Sequence, residues 1–262
     1  MTDLNGIKES LKAAALEGGK ILKESFRSGN VHAKTKSSWA DLVTNIDLKT
    51  QDSVIARLSR DLPGVQVIGE EKENEAVSEE VIYLDPLDGT LNYFHGLPMF
   101  AISIGYWVAK KPVAGVVYIP MGEELYWGTS GHGAFRNGEP LRVSQNRSLS
   151  QSFLATGWPY DRGQISKALR PLERILPPVQ EVRVLGSCAI SMCYVASGVL
   201  EAYWEWGLYP WDVAAGVVIA QEAGARMTSP EGEPFKLESG AVLASNGYVH
   251  EEILKLLGAE SG

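Results

Sequence analysis

Apolar residues at helical spacing and short apolar runs bounded by turn residues take turns along nearly the whole chain, and this alternation constrains the fold more than any other feature. Helices and strands that alternate must be layered on one another, which gives an α/β (α+β layered) architecture and excludes a repeat array or an all-β fold. Leu4, Ile7, Leu11, Ala14, Ala15, Ile21 and Leu22 predict an amphipathic helix over residues 3–27, with Asp3 or Asn5 as its N-cap. A second helix is expected from Asp47 to Leu58, with Asp47 at its start as a candidate N-cap. Residues 65–70 and 81–86 read as strands, "FAISIGYWVAKKPVAGVVYIP" as two strands joined at "KKP", and "ELYWGTSGHGAFRNGEPLRV" as a meander turning at "RNGEP". The composition shifts after residues 144–152. Beyond it the pattern predicts a strand at 153–156, a helix at 163–176, a turn into a helix from "VLGSCAISM", a strand at 200–205, a helix at 210–223, strands near 225–227 and 241–244, and a helix at 249–257. A single domain over residues 1–262 is expected, with lobes at about 1–145 and 146–262.

With 262 residues and 45% apolar content, the chain can bury a substantial core. Its longest apolar runs, 99–109 and 213–220, fall short of the ~20 residues that span a bilayer, and the first residues lack the pattern of a signal peptide. The expectation is a cytoplasmic protein without a membrane segment. Cys188 and Cys193 are the only cysteines and are read as reduced thiols. A net charge of −8 with scattered Lys and Arg argues against nucleic acid or anionic lipid as a main partner.

"YLDPLDGTLNY", residues 83–93, sets two aspartates beside Gly-Thr. The strand carries Asp85 to its end, Pro86 breaks the pairing, Asp88 follows on the turn, and Gly89-Thr90 offers backbone N–H groups of the kind that cradle phosphate. Read alone, Asp-Pro and Asp-Gly are also ordinary turn chemistry. The ligand spacing of an EF-hand and the Lys of a Walker loop are both absent. Further acids stand at element ends: Asp47, Glu70 and Glu71 after a strand, and Asp212 at a Pro-Trp helix entry. Each has a plain reading as a cap, loop charge or first-turn acid. Together, with no His or Cys among them, they indicate a hard divalent cation, Mg²⁺ first and Mn²⁺ second. Cations held by the acids then reconcile an acidic site with a phosphate cradle. The run "EEKENEAVSEE" reads as a solvated loop, with a mobile lid as the alternative.

"GEE" at 69–71, "DPLDGTLNY" at 85–93 and "WDVAAGVVIAQEAGA" at 211–225, with "KSSWADLVTNID" at 36–47 and "VLGSCAISMCYVASGVLEAYWE" at 184–205, resemble the inositol monophosphatase family of Mg²⁺-dependent, lithium-sensitive sugar phosphatases over essentially the whole chain. The resemblance implies a five-layer αβαβα sandwich and a homodimer. It implies that Glu70, Asp85 and the carbonyl of Leu87 bind a first ion and that Asp85, Asp88 and Asp212 bind a second, with Glu70 holding a loosely bound third. It also implies that Asp47 accepts a hydrogen bond from Thr90, which orients the attacking water, and that Gly89 and Thr90 grip the phosphate. Asp88, Gly186, Cys188 and Glu205, beside Asp212, would meet the alcohol of the substrate. Cys188 stands where the family often has Ala, and Leu87 where Ile is frequent; "TGWPYDRG" at 156–163 is of the bacterial type.

The activity implied is a phosphomonoesterase of small polyol or sugar phosphates, inositol 1-phosphate first. Relatives with the same acids hydrolyse fructose 1,6-bisphosphate, histidinol phosphate or 3′-phosphoadenosine nucleotides. Arg162, Lys167 and Arg183 are candidates to pair with a second phosphate, with surface solvation as the plainer reading. A rival of another class is an interaction protein that keeps the phosphatase fold and acts through RNA or polymerase contacts. Trp204, Trp206, Trp211, Tyr203 and Tyr209 are read as core or dimer packing, His95 and His132 as polar or turn residues, and Lys36 as either a surface lysine or a neighbour of the metal site.

Overall fold

The first helical pattern becomes α1 (Leu4–Ser25), which buries Ile7, Leu11, Ala14, Ala15 and Leu22 along one face. The computed structural model describes residues 4–71 and 78–258. Asp3 and the centre of the acidic run, residues 72–77, lie outside the described residues. Asn5 is within α1 and accepts Lys8 Nζ at 2.9 Å instead of capping it. A ribbon of β1 (Ala33–Thr35) and β2 (Leu42–Thr44), paired antiparallel, leads into α2 (Asn45–Asp61). Its N-cap is Thr44, not Asp47: Thr44 Oγ1 accepts Ile46 N at 3.1 Å and Asp47 N at 3.3 Å. Asp47 occupies the third helical position and reaches back to Thr44 N at 3.0 Å, which completes a capping box.

The first sheet has seven strands among the described residues, ordered as in the chain. They are β3 (Gln66–Gly69), β4 (Glu80–Asp88), β5 (Ala101–Val108), β6 (Lys111–Ile119), β7 (Glu124–Thr129), β8 (Ala134–Arg136) and β9 (Glu139–Pro140). Strands β3 and β4 run parallel and each later neighbour is antiparallel. The short α3 (Thr90–Phe94) follows β4. The turn expected at "KKP" falls one step earlier, on Ala109 and Lys110, whose φ of 48° and 61° suit a two-residue hairpin.

The second sheet is ordered β11-β10-β12-β14-β13, from β10 (Phe153–Thr156), β11 (Glu181–Val184), β12 (Ala202–Trp206), β13 (Arg226–Thr228) and β14 (Ala241–Ser245). The helix expected over 163–176 is broken into α4 (Ile165–Leu169) and α5 (Leu172–Ile175) around Pro171, which cannot donate a helical hydrogen bond. The remaining helices are α6 (Cys188–Ala196), α7 (Pro210–Glu222) and α8 (His250–Gly258).

Three apolar clusters hold these elements as five layers. Helices α1 and α2 cover one face of the first sheet through Leu11, Leu22, Val54, Leu58, Ile102 and Ile104. Helices α6 and α7 fill the space between the sheets, and α4, α5 and α8 close the far face of the second sheet through Ala168, Ile175, Ile253 and Trp204. The small residues of α7 let it lie close to β5: a Cβ on Gly105 would stand 2.6 Å from the Ala214 carbonyl carbon. Trp107 Nε1 donates to Ala214 O at 3.1 Å across the same contact. This seating fixes where the first turn of α7 meets the end of the sheet.

Candidate active site

Parallel pairing of β3 with β4 matches Gly69 to Leu84, and Glu70 N donates to Leu84 O at 3.1 Å. Glu70 and Asp85 therefore leave neighbouring strands at the same edge. The ladder to β5 shifts register between Asp85 and Asp88, across Pro86, and Asp85 Oδ1 accepts Leu87 N at 2.9 Å. Asp88 lies at the N-terminus of α6, accepting the Ser187 hydroxyl, Ala189 N at 2.8 Å and Cys188 N at 3.3 Å. Asp212 arrives from the first turn of α7 and accepts Tyr209 N at 2.7 Å. Asp85, Asp88 and Asp212 are 2%, 7% and 4% exposed, so water barely screens them.

Burial pushes the Asp85 carboxyl well above its ordinary value, and repulsion from Glu70, Asp88 and Asp212 pushes it further. Asp212 is raised the same way, by burial and then by Glu70 and Asp88. Asp88 is raised by burial, against its hydrogen bonds from Ser187, Ala189 and Cys188. Three buried carboxyl groups and the partly exposed Glu70, repelling one another, call for a cation, and an all-oxygen set suits a hard divalent ion such as Mg²⁺. No three such side chains among the described residues are already drawn into a closed ligand shell. Each acid has another partner: Glu70 turns to Lys36 Nζ at 2.7 Å, and Asp88 and Asp212 accept from helix starts.

Lys36, on the ribbon before α2, sits between Glu70 and Glu71, at 2.6 Å from the latter. Burial alone would lower its ammonium; the two carboxylates outweigh burial and raise it. Glu71 is pushed up to about 7 by burial and by Glu70, with Lys36 opposing. The lysine is thus part of the acidic centre and not a surface residue.

Gly89 turns the chain from β4 into α3 at φ 93°, and a Cβ there would stand 2.9 Å from Met99 O, so the position requires glycine. Thr90 Oγ1 has two acceptors within reach of its one proton, Asp47 Oδ1 at 3.0 Å and Leu87 O at 2.9 Å. Asp47 is fully buried and its carboxyl is raised to about 6 by burial, which the Thr44 hydrogen bonds oppose and Glu70 reinforces. Asp88, Gly89, Thr90, Gly186, Cys188, Glu205, Asp212 and Glu70 line one cleft of about 160 Å³. Glu205 enters it from β12, raised to about 8 by burial against a hydrogen bond from Tyr203.

Residues 3–261 match the family model described as the inositol monophosphatase family. The chain belongs to that family. The fructose-1,6-bisphosphatase/inositol-1-monophosphatase of Aquifex aeolicus is 35% identical over 258 residues, covering 98% of this chain and 97% of that protein. Among solved structures, the extragenic suppressor protein suhB of Bartonella henselae superposes with a TM-score of 0.93 at 31% identity, covering 97% of this chain and 99% of that one. The inositol monophosphatase of Anabaena (Nostoc) superposes at 0.87 with 34% identity, covering 98% and 96%. Members of the inositol monophosphatase family hydrolyse phosphate monoesters, with Mg²⁺ as a general family requirement.

Of the other sequence candidates, Arg162 lines the cleft, whereas Lys167 and Arg183 pair with Glu231 and Glu181 at 3.7 and 3.0 Å. His95 and His132 are exposed and do not line the cleft. Tyr203, Trp204 and Trp206 are core residues, while Tyr209 stacks on Trp211 at 5.0 Å. Two residues escaped the sequence reading of this inositol monophosphatase relative. Ser187 both caps α6 and holds Asp88, a double role whose only signal was Gly-Ser ahead of an apolar helix. Asn92 Nδ2 donates to Met99 O at 2.7 Å and Leu185 O at 2.8 Å, tying the phosphate turn to the approach of α6; no short-range pattern announces it.

Proposed function

We propose that this chain is a Mg²⁺-dependent phosphomonoesterase of small polyol or sugar phosphates, with inositol 1-phosphate as first substrate. The observation that carries the reading is a set of mutually repelling acids: Glu70, Asp88 and Asp212 line one cleft with the Gly89–Thr90 turn, and the buried Asp85 is pushed up by all three. Glu70, Asp85 and Leu87 O would hold one ion and Asp85, Asp88 and Asp212 a second, with a third at Glu70; Mn²⁺ suits the same donors. When bound, such ions stabilise charge on the phosphoryl and leaving oxygens and acidify water. Ligation requires Glu70 to give up Lys36 and Leu87 O to share its lone pairs with Thr90.

The N–H groups of Gly89 and Thr90 at the start of α3, which donate to no backbone carbonyl among the described residues, grip the phosphate. Thr90 donates its own proton to Asp47, so its oxygen is left to accept a proton from the attacking water as Thr90 passes its own to the carboxylate. Water oxygen bonds to phosphorus as the ester oxygen leaves in line, without a phosphoenzyme. Asp88, Gly186, Cys188 and Glu205 face the alcohol. The active protein would be a cytoplasmic homodimer, each chain one unit of two lobes; no helix among the described residues is long and apolar enough to cross a membrane.

A second substrate reading rests on Arg162. It is the one cation among the described cleft-lining side chains; its Nε is buried without a hydrogen-bond partner and its guanidinium lies 5.4 Å from the exposed Trp39 ring. A substrate with a second phosphate, such as fructose 1,6-bisphosphate, would satisfy that donor. The deciding experiment measures phosphate release from inositol 1-phosphate, fructose 1,6-bisphosphate, histidinol phosphate and 3′-phosphoadenosine 5′-phosphate, with Mg²⁺, with added lithium and in chelator. Full turnover in chelator would refute the metal reading, and RNA or polymerase binding without turnover would favour the interaction protein.

A further inference from the structure

Glu205 has three side-chain torsions, yet the cleft needs its carboxylate in one place if it is to read a substrate hydroxyl. Two neighbours impose that place. Tyr203 lies two residues earlier on β12, so both side chains leave the same face of the strand, and the Tyr203 hydroxyl donates to Glu205 Oε2. Gly157 leaves the space the carboxyl group occupies: a Cβ there would overlap the Glu205 carboxyl, Oε2 first. No donor among the described residues reaches Glu205 Oε1. Tyr203 is itself immobilised, 1% exposed in the core cluster it shares with Cys188 and the rest of α6.

We infer that Tyr203 is a positioning residue for substrate selection: held by the Tyr203 phenol and seated in the space Gly157 leaves, Glu205 commits Oε2 to the protein and keeps Oε1 for a hydroxyl of the alcohol. The class selected is a phosphate monoester whose alcohol carries a further hydroxyl beside the ester, as in a polyol, over one whose alcohol has none. This rests on the reading of Glu205 as an alcohol-facing group. The phenol's hydrogen bond among the described residues goes to Glu205 and none goes to the phosphate turn, so loosening Glu205 acts on how the alcohol is held.

The test uses the full-length Mg²⁺-loaded protein with two substrates, inositol 1-phosphate and p-nitrophenyl phosphate, whose leaving group has no hydroxyl to read. Tyr203→Phe keeps the ring in the core and removes only the donor; Gly157→Ala puts a methyl group where the carboxylate lies; Glu205→Gln is the reference. Both positioning variants should raise KM for inositol 1-phosphate about tenfold with kcat within twofold, and leave both constants for p-nitrophenyl phosphate unchanged. Equal losses on the two substrates would mark a structural role and overturn the inference, as would unchanged kinetics on both. If Glu205→Gln discriminates the substrates and Tyr203→Phe does not, the clamp is wrong and the reading of Glu205 stands. If Glu205→Gln does not discriminate them, that reading fails and the inference falls with it.

Discussion

Asp47→Asn should stabilise the fold while abolishing turnover, a combination that only a residue buried for chemistry gives. The carboxyl is fully buried and raised from 3.8 to about 6, by burial first. A raised acid is at ease below 3.8 and loses stability as pH rises through about 6, so at neutral pH its charge is held at a penalty. Two pKa units correspond to roughly 3 kcal/mol. The carboxamide removes that penalty but keeps only one acceptor, so it must drop Thr90 or Thr44, a loss of about 1 kcal/mol. The net gain is about 2 kcal/mol, or roughly 4–8 °C in Tm for a chain of this size. Denaturant titration of chelated protein should show the gain at pH 7.5 and its disappearance near pH 3.5. The other buried acids are common to both proteins and cancel in the difference. Turnover should fall about 10²–10⁴-fold, because Thr90 would keep Leu87 O but lose the acceptor that takes its proton. A variant less stable than the parent at pH 7.5, or a stability difference independent of pH, would refute the electrostatic argument; near-parental kcat would remove Asp47 from the reaction.

Thr90→Ala should lower kcat by about 10²-fold while inorganic phosphate inhibits at a similar concentration, since the cradle is backbone; steady-state kinetics with product inhibition separate the two effects. Arg162→Ala should raise KM for fructose 1,6-bisphosphate about tenfold or more and leave inositol 1-phosphate within twofold, and equal effects on both would remove Arg162 from a second-phosphate role. His250 is fully buried between Thr228 Oγ1 at 3.0 Å and Ser245 Oγ at 2.7 Å, and burial, with Arg226, lowers it to about 4. A depressed histidine gives stability that is whole above about 6.5 and lost as pH falls to about 4, roughly 3 kcal/mol in all. Denaturant titrations across that range should show the loss in the parent and a flatter profile in His250→Gln.

How far the sequence could be read depended on the range of each interaction. The helices and strands were legible because their periodicities are local: α7 was expected at 210–223 and runs Pro210–Glu222, and β14 was expected at 241–244 and runs Ala241–Ser245. Local reading failed where one residue decided between equals, as at Thr44, which takes the cap from Asp47, and at Pro171, which splits the helix before β11. The acids were legible for a different reason. A carboxylate at the end of a strand or the start of a helix, beside Gly-Thr, has few structural duties, and several of them together exceed what capping needs. What stayed hidden is which partner each acid takes. Lys36 has the same composition signal as any surface lysine, and only the pairing of β3 with β4 and the course of the β1–β2 ribbon bring it between Glu70 and Glu71. Asp88 illustrates the same limit from the other side. The resemblance gives it as a ligand and its own turn does not show its partners, which belong to the start of α6, contributed by the second sheet's half of the chain. The acid therefore joins the two halves before it does any chemistry. Ser187→Ala removes one link of that joint and leaves Ala189 N and Cys188 N in place. A site built this way couples the seating of α6 to the position of Asp88, and Gly186, Ser187 and Cys188 accordingly line the same cleft as Gly89 and Thr90.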